Sequence, residues 1–322
     1  MQNDYVLKAE AASDLREDIF KIAISLLAFF PFSSFTASIF LSVYSSQSSL
    51  TDAQMIVDSF MSSPYFSIYS LTVSFIPIAI SILIFCLVTK RRLGVISAKP
   101  TVDKKNFTAY TVFGSSAIVL SSVASVLSQK LLDVFSFKGT EIVIPNGLFA
   151  TAIFVLANVI IAPIIEETLF RFLILERLRR YGDVFAVLAS AFMFSMLHAS
   201  FTNYAYSFVS GIVYGFLAVY TGSMLSPLII HILNNAISVV LVLLEQTVSK
   251  QLCDLIYTSI LVVISVISII GFILLKKLNY NAFALSFDGK PLTKWRKTMV
   301  VFSSLPMIIF VVFSIALAAS NV

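Results

Sequence analysis

Long apolar runs separated by short polar breaks occupy almost the whole chain. A helix needs roughly 17–25 mostly apolar residues to cross a bilayer, and about nine segments meet that length: 19–45, 65–89, 108–132, 148–175, 184–202, 204–221, 224–246, 253–275 and 298–320. The first contains Pro31, whose missing N–H predicts a kink. The longest polar stretches, 90–107 and 276–297, are both basic. The pattern predicts an all-α fold, a polytopic transmembrane helical bundle of about 8–9 spans, with residues 1–322 forming a single integral membrane domain. The lipid bilayer is therefore the first expected partner.

Composition agrees with that pattern. Hydrophobic residues make up 58% and charged residues 12%, where a soluble domain holds about 25% charged residues; the mean hydropathy is +0.95. The net charge of +5 does not indicate nucleic acid, because Lys and Arg gather at segment ends. One set of loops holds Lys90, Arg91, Arg92, Lys99, Lys104 and Lys105, then Arg177, Arg179 and Arg180, then Lys276, Lys277, Lys290, Lys294, Arg296 and Lys297. The alternate loops hold little beyond Lys138 and Lys250. By the positive-inside rule this is a multi-pass cell-membrane protein with a cytoplasmic N-terminus, and nine spans put the C-terminus outside. Cys86 and Cys253 lie far apart in or beside apolar runs, which is packing and not a disulfide or metal spacing. Residues 1–18 are polar, and the apolar run after them is too long for a signal-peptide core, so the N-terminus is expected to be retained.

Against this background the ionisable residues inside spans are few. Such groups usually face an interior, a cavity or one another. The chain has two histidines, His198 and His231, and a third apolar segment carries Glu166-Glu167-Thr168-Leu169-Phe170-Arg171. Glu166 lies about 15 residues before the Tyr181-Gly182-Asp183 turn and His198 about 16 after it, so at about 1.5 Å per residue both sit about 23 Å from the turn. His231 lies about nine residues beyond Gly222-Ser223 and is shallower by the same count, unless that turn is deeper or the helix is tilted. Glu167 and Arg171, at i,i+4, share a helix face and are expected to pair, a supporting and structural role. Glu166 is turned about 100° away and is free to act as a general base. His231 and Asn235 also share a face, with Asn234 adjacent.

A base, two imidazoles and an amide fit amide-bond hydrolysis. Glu166 would deprotonate water held by His198, while His231 and Asn235 donate to the developing oxyanion. The same Glu166, His198 and His231 could instead bind zinc, since two His and one Glu form a catalytic ligand set. The alternative to both is packing: two glutamates neutralising Arg171, an interfacial histidine at a helix end, and His and Asn as interhelical hydrogen-bonding groups.

In order, Glu166-Glu167…Arg171, Phe194…His198 and His231…Asn235 resemble the CPBP (Abi) family of intramembrane CAAX-type endopeptidases, which includes the Ras-converting enzyme. The resemblance covers about 147–240, a catalytic core of four helices, within a family that usually has about eight spans. It implies Glu166 as the catalytic glutamate, His198 as its partner on the water, and His231 with Asn235 as the oxyanion pair. Glu167 and Arg171 are motif members. The family has been described both as metalloproteases and as metal-independent. The asparagine suits an oxyanion better than a metal, so no cofactor is expected to be required, with zinc the alternative.

The leading expectation is an intramembrane endopeptidase acting on a membrane-proximal or lipidated peptide or protein, in a setting such as bacteriocin processing or self-immunity. The alternative is a non-catalytic membrane scaffold or immunity protein that keeps the motifs for packing. A proton-coupled transporter would also bury Glu and His, but no repeat relates the halves of the chain. Three further features have packing readings. Gly211…Gly215 permits close helix contact between segments five to seven, Pro163 can loosen the backbone beside Glu166, and Leu278–Lys297, with Tyr280, Phe283, Phe287 and Trp295, can lie on the inner leaflet or form a solvated loop.

Overall fold

The computed structural model describes residues 2–91, 100–134, 144–279, 281–287 and 289–320, with side chains from Val6 onward. Arg92, Lys99, Lys138 and Tyr280, which entered the charge and inner-leaflet readings, lie outside the described residues. The regular elements among the described residues are all helical. Helix α1 (Gln2–Leu27) continues into α2 (Phe29–Gln47), followed by the short α3 (Ala53–Ser62) and by α4 (Tyr65–Thr89). Next come α5 (Lys104–Gly114), α6 (Ser116–Val134) and the long α7 (Leu148–Tyr181). Helices α8 (Asp183–Leu197), α9 (Phe201–Thr221), α10 (Leu225–Glu245) and α11 (Lys250–Leu278) lead to α12 (Lys294–Ser303) and α13 (Leu305–Ser320).

Among the described residues seven helices or joined pairs are long and apolar enough to cross a membrane, or eight if the bent α12–α13 pair is one span. The chain is thus a multi-pass membrane protein of the expected all-α class. Three of the expected segments are modified by local chemistry. The first divides at Ala28, because Pro31 cannot donate to the Leu27 carbonyl and the ladder resumes on long bonds (Ala28 N to Ile24 O, 3.3 Å; Phe32 N to Ala28 O, 3.4 Å). The last bends by 70° at Ser304, where Pro306 withholds a donor from the Phe302 carbonyl. The fifth is a helix of only 15 residues, about 22 Å long at 1.5 Å per residue against a hydrocarbon core of about 30 Å. It stops at Leu197 because Ala199 adopts a left-handed φ of 44°.

One end of the bundle gathers the positive charge. Asp18, 1% exposed, accepts from Arg177 at 2.7 Å, from Arg180, and from the Tyr181 hydroxyl at 2.8 Å. Lys290 pairs with Asp14, and Lys297 donates to the Tyr181 carbonyl. The segment after α11 folds back onto this end: Val184 N donates to Ser286 O and Lys290 N to Arg180 O. Phe283 stacks on Phe216 and Phe272, so it is a protein contact; Phe287 and Trp295 remain exposed.

Two apolar clusters flank the centre. One joins α1, α4, α7, α8 and α13 through residues such as Leu15, Phe85, Phe170, Phe194 and Phe310; the other joins α5, α6, α9 and α11 around Tyr110, Tyr214, Leu217 and Ile264. Close approaches depend on glycine. A Cβ on Gly211 would sit 3.1 Å from the Ala191 backbone, and one on Gly215 would sit 3.2 Å from Leu175 and Val187 side-chain atoms. The pair therefore draws α9 onto α7 and α8, which are segments four to six. Gly271 of α11 is tighter, its Cβ falling 2.4 Å from Phe113 N of α5. Gly271→Ala is expected to cost about 1–3 kcal/mol by overpacking, read as a lowered unfolding temperature in detergent. An unchanged temperature would contradict this contact.

Candidate active site

Helix α7 departs from regular winding on both sides of its acidic pair. Leu156–Ile161 and Thr168–Leu175 are π-helical, separated by the α-helical stretch Ala162–Glu167; π turns are frequent at functional sites. Ala162 N donates to Ala157 O, an i→i−5 bond, so the next donor in that register would be residue 163, bonding Asn158 O. Residue 163 is proline, which has no N–H. The vacant acceptor is taken from another helix: Asn235 Nδ2 donates to Asn158 O at 2.9 Å. The loosened backbone expected at Pro163 is thus a specific interhelical docking point.

The two glutamates separate as their angular offset requires. Glu167 is fully buried, with Oε2 3.2 Å from Arg171 Nε and Oε1 2.9 Å from His231 Nδ1. The expected Glu167–Arg171 pair forms, on a backbone that is π-helical from Thr168 onward. Arg171 also reaches Gly211 O at 3.4 Å and lies over the Phe194 ring at 4.6 Å from its centroid. The Glu166 side chain is 15% exposed, and its Oε2 stands 3.6 Å from His231 Nε2. The two nitrogens of His231 therefore address different carboxylates. Tyr214 stacks on the imidazole at 5.0 Å between centroids, and Phe194 meets it edge-on at 5.8 Å.

The deeper inner turn that His231 needs is present. Gly222, Ser223 and Met224 border the same 350 Å³ pocket as Leu175, Glu176 and Arg179, so this turn enters the bundle above the 181–183 turn. Nine residues along α10 then suffice to reach Glu166.

His198 caps the short α8. Its Nδ1 is 2.9 Å from Phe194 O; a carbonyl only accepts, so Nδ1 carries a proton, and in the neutral ring Nε2 is the acceptor. Glu166, His198, His231, Asn234, Asn235 and Tyr206 all border one 220 Å³ cavity. Glu167 and Arg171 stand behind it. An adjoining cavity of 610 Å³ shares Asn158, His198, Tyr206 and Asn235 as lining. Among the described residues no three His, Cys, Asp or Glu side chains group closely enough to hold a metal ion.

Three participants were not singled out from sequence. Asn158 holds Asn235, Tyr214 packs on His231, and Tyr206 accepts a hydrogen bond from the buried Asn234 amide. The available signal was a polar atom within an apolar span, which membranes tolerate only with a partner. Tyr206→Phe removes the acceptor of Asn234 and is expected to cost about 1–3 kcal/mol, measured by thermal unfolding. Parental stability would mean that the amide has another acceptor.

Residues 148–237 match the family model described as Type II CAAX prenyl endopeptidase Rce1-like. The match runs from the start of α7 into α10 and includes Glu166, Glu167, Arg171, His198, His231 and Asn235. No curated protein and no solved structure matches the chain.

Proposed function

Because residues 148–237 match the Rce1-like model of type II CAAX prenyl endopeptidases, we propose that this membrane protein is an intramembrane endopeptidase in which Glu166 activates the attacking water. The observation that carries the reading is the 3.6 Å approach of His231 Nε2 to the cavity-facing carboxylate of Glu166, with His198 and Asn235 on the same 220 Å³ wall. Glu166 takes a proton from water that His198 Nε2 orients, and that proton passes to the leaving amine. His231 and the second N–H of Asn235, whose other N–H is held by Asn158, face the developing oxyanion, where fixed donors contribute most. Glu167 and Arg171 act as positioning residues, fixing the His231 ring through Nδ1.

In this scheme the side chains of the cavity carry the reaction without a metal. Cleavage that survives exhaustive chelation supports the scheme; loss that only zinc restores would replace it with the zinc alternative. The substrate class is a membrane-proximal or lipidated peptide, with bacteriocin processing or self-immunity as the proposed setting. The gathering of Arg177, Arg180, Lys290 and Lys297 at one end supports a cytoplasmic N-terminus. The direct test is cleavage of a membrane-tethered peptide library by the reconstituted protein, with loss expected in Glu166→Gln and His198→Ala. Retention of full cleavage by both would end the assignment of Glu166 and His198, and a parent protein that cleaves nothing would favour the scaffold reading.

A further inference from the structure

The larger cavity has a direction. Its polar lining comes from Ser70 and Ser74 of α4, Ser125 of α6, Asn203 of α9, Ser238 of α10 and Tyr257 of α11. Each lies in the half of its span remote from the basic end, with α5 and α6 counted as the one span Lys104–Val134. Helix α4 finishes at that end, where Arg91 covers Phe172, so Ser70 and Ser74 near its start are far from it. Thr221 closes α9 there by accepting from Thr101 N at 2.9 Å, which leaves Asn203 at the opposite end. Lys276 of α11 meets Phe283 there at 5.2 Å, which puts Tyr257 on the far side. Among the described residues only Lys130 and Lys250 bring positive charge to that far side.

Two further observations shape the approach. Helices α4 and α6 both line the cavity and, among the described residues, show no extended packing against one another; the slot is the separation between them. Helix α8 ends early, so His198 is exposed at the cavity floor and not sealed at a membrane surface. Toward the basic end, Glu167 and Arg171 lie buried behind the catalytic wall.

Resting on the endopeptidase reading and on the positive-inside rule, we infer that the substrate reaches Glu166 from the outer half of the bilayer, through the slot between α4 and α6. The substrate class is then an exported polypeptide, tethered by a lipid or a transmembrane segment, with its scissile bond near the outer interface. Tethering favours such a site because it confines the substrate to the layer in which the slot opens.

The test reads access separately from chemistry. In a Cys86→Ser/Cys253→Ser background, single cysteines are placed by Ser74→Cys, Asn203→Cys and, at the exposed basic end, Trp295→Cys. A charged, membrane-impermeant thiosulfonate is applied to intact and to permeabilised cells. Modification of the first two in intact cells, with Trp295→Cys reacting only after permeabilisation, is expected. The reverse pattern, or protection of both cavity positions from either side, would overturn the inference. Repeating the labelling in Glu166→Gln keeps the two readings apart. Outward labelling with cleavage retained in Glu166→Gln sinks the catalytic assignment alone, whereas inward labelling with cleavage lost sinks the access route alone. A reporter peptide tethered on the outer face should be cleaved and its inner-face counterpart spared; cleavage of the inner one alone would also overturn the route.

Discussion

Glu166→Gln should lower the cleavage rate by about 10²–10⁴-fold, the contribution usual for a positioned general base, while leaving the unfolding temperature close to the parent's. The separation of the two effects is a consequence of where the charges lie. Glu166 is not needed to neutralise Arg171, because Glu167 stands 3.2 Å from that guanidinium with no exposure of its own. Glutamine preserves the size of the side chain and keeps an oxygen facing His231, but it cannot take a proton from water. The scaffold alternative predicts the opposite result, an unchanged phenotype, since shape and hydrogen bonding survive. Single-turnover cleavage with purified, reconstituted protein distinguishes them, and a Glu166→Gln enzyme as fast as the parent would end the catalytic assignment.

The largest effect on stability should come from the pair behind the cavity. Arg171→Met leaves Glu167 as a buried carboxylate facing only His231, and removing one partner of a buried ion pair costs about 3–5 kcal/mol. The Arg171 and Glu167 side chains are 1% and 0% exposed, so water cannot take the place of the lost partner. The guanidinium also loses its place between the Phe194 and Tyr214 rings, 4.6 and 5.4 Å from their centroids. The double variant Glu167→Gln/Arg171→Met should recover much of the loss, because no unpaired charge then remains. Unfolding in mixed micelles measures both. A single variant as stable as the parent would show that the pair contributes nothing to the fold.

Much of this arrangement was legible before any coordinates. Span positions follow from hydropathy, because lipid accepts only backbones whose hydrogen bonds are satisfied within the segment. The Glu167–Arg171 pair follows from helical spacing, and the different surroundings of Glu166 from the angle between adjacent residues. Other features depended on partners distant in sequence. Asn235 reads as a free donor until Pro163 is seen to leave Asn158 O vacant in a π register. Asn234, one residue earlier, is buried and committed to Tyr206. His231 appeared too shallow because the Gly222 turn was counted from the level of the Gly182 turn, and loop depth is not a local property of the chain.

Periodicity, proline positions and charge placement are local quantities, and they are enough to state an all-helical membrane bundle, its basic end and its candidate site residues. Convergence is different. The 3.6 Å between Glu166 and His231 depends on the depth of one turn, on the shortness of α8, and on the glycine contacts that seat α9. Each is settled by packing between helices, where the position of one segment is set by the shapes of its neighbours and not by its own sequence.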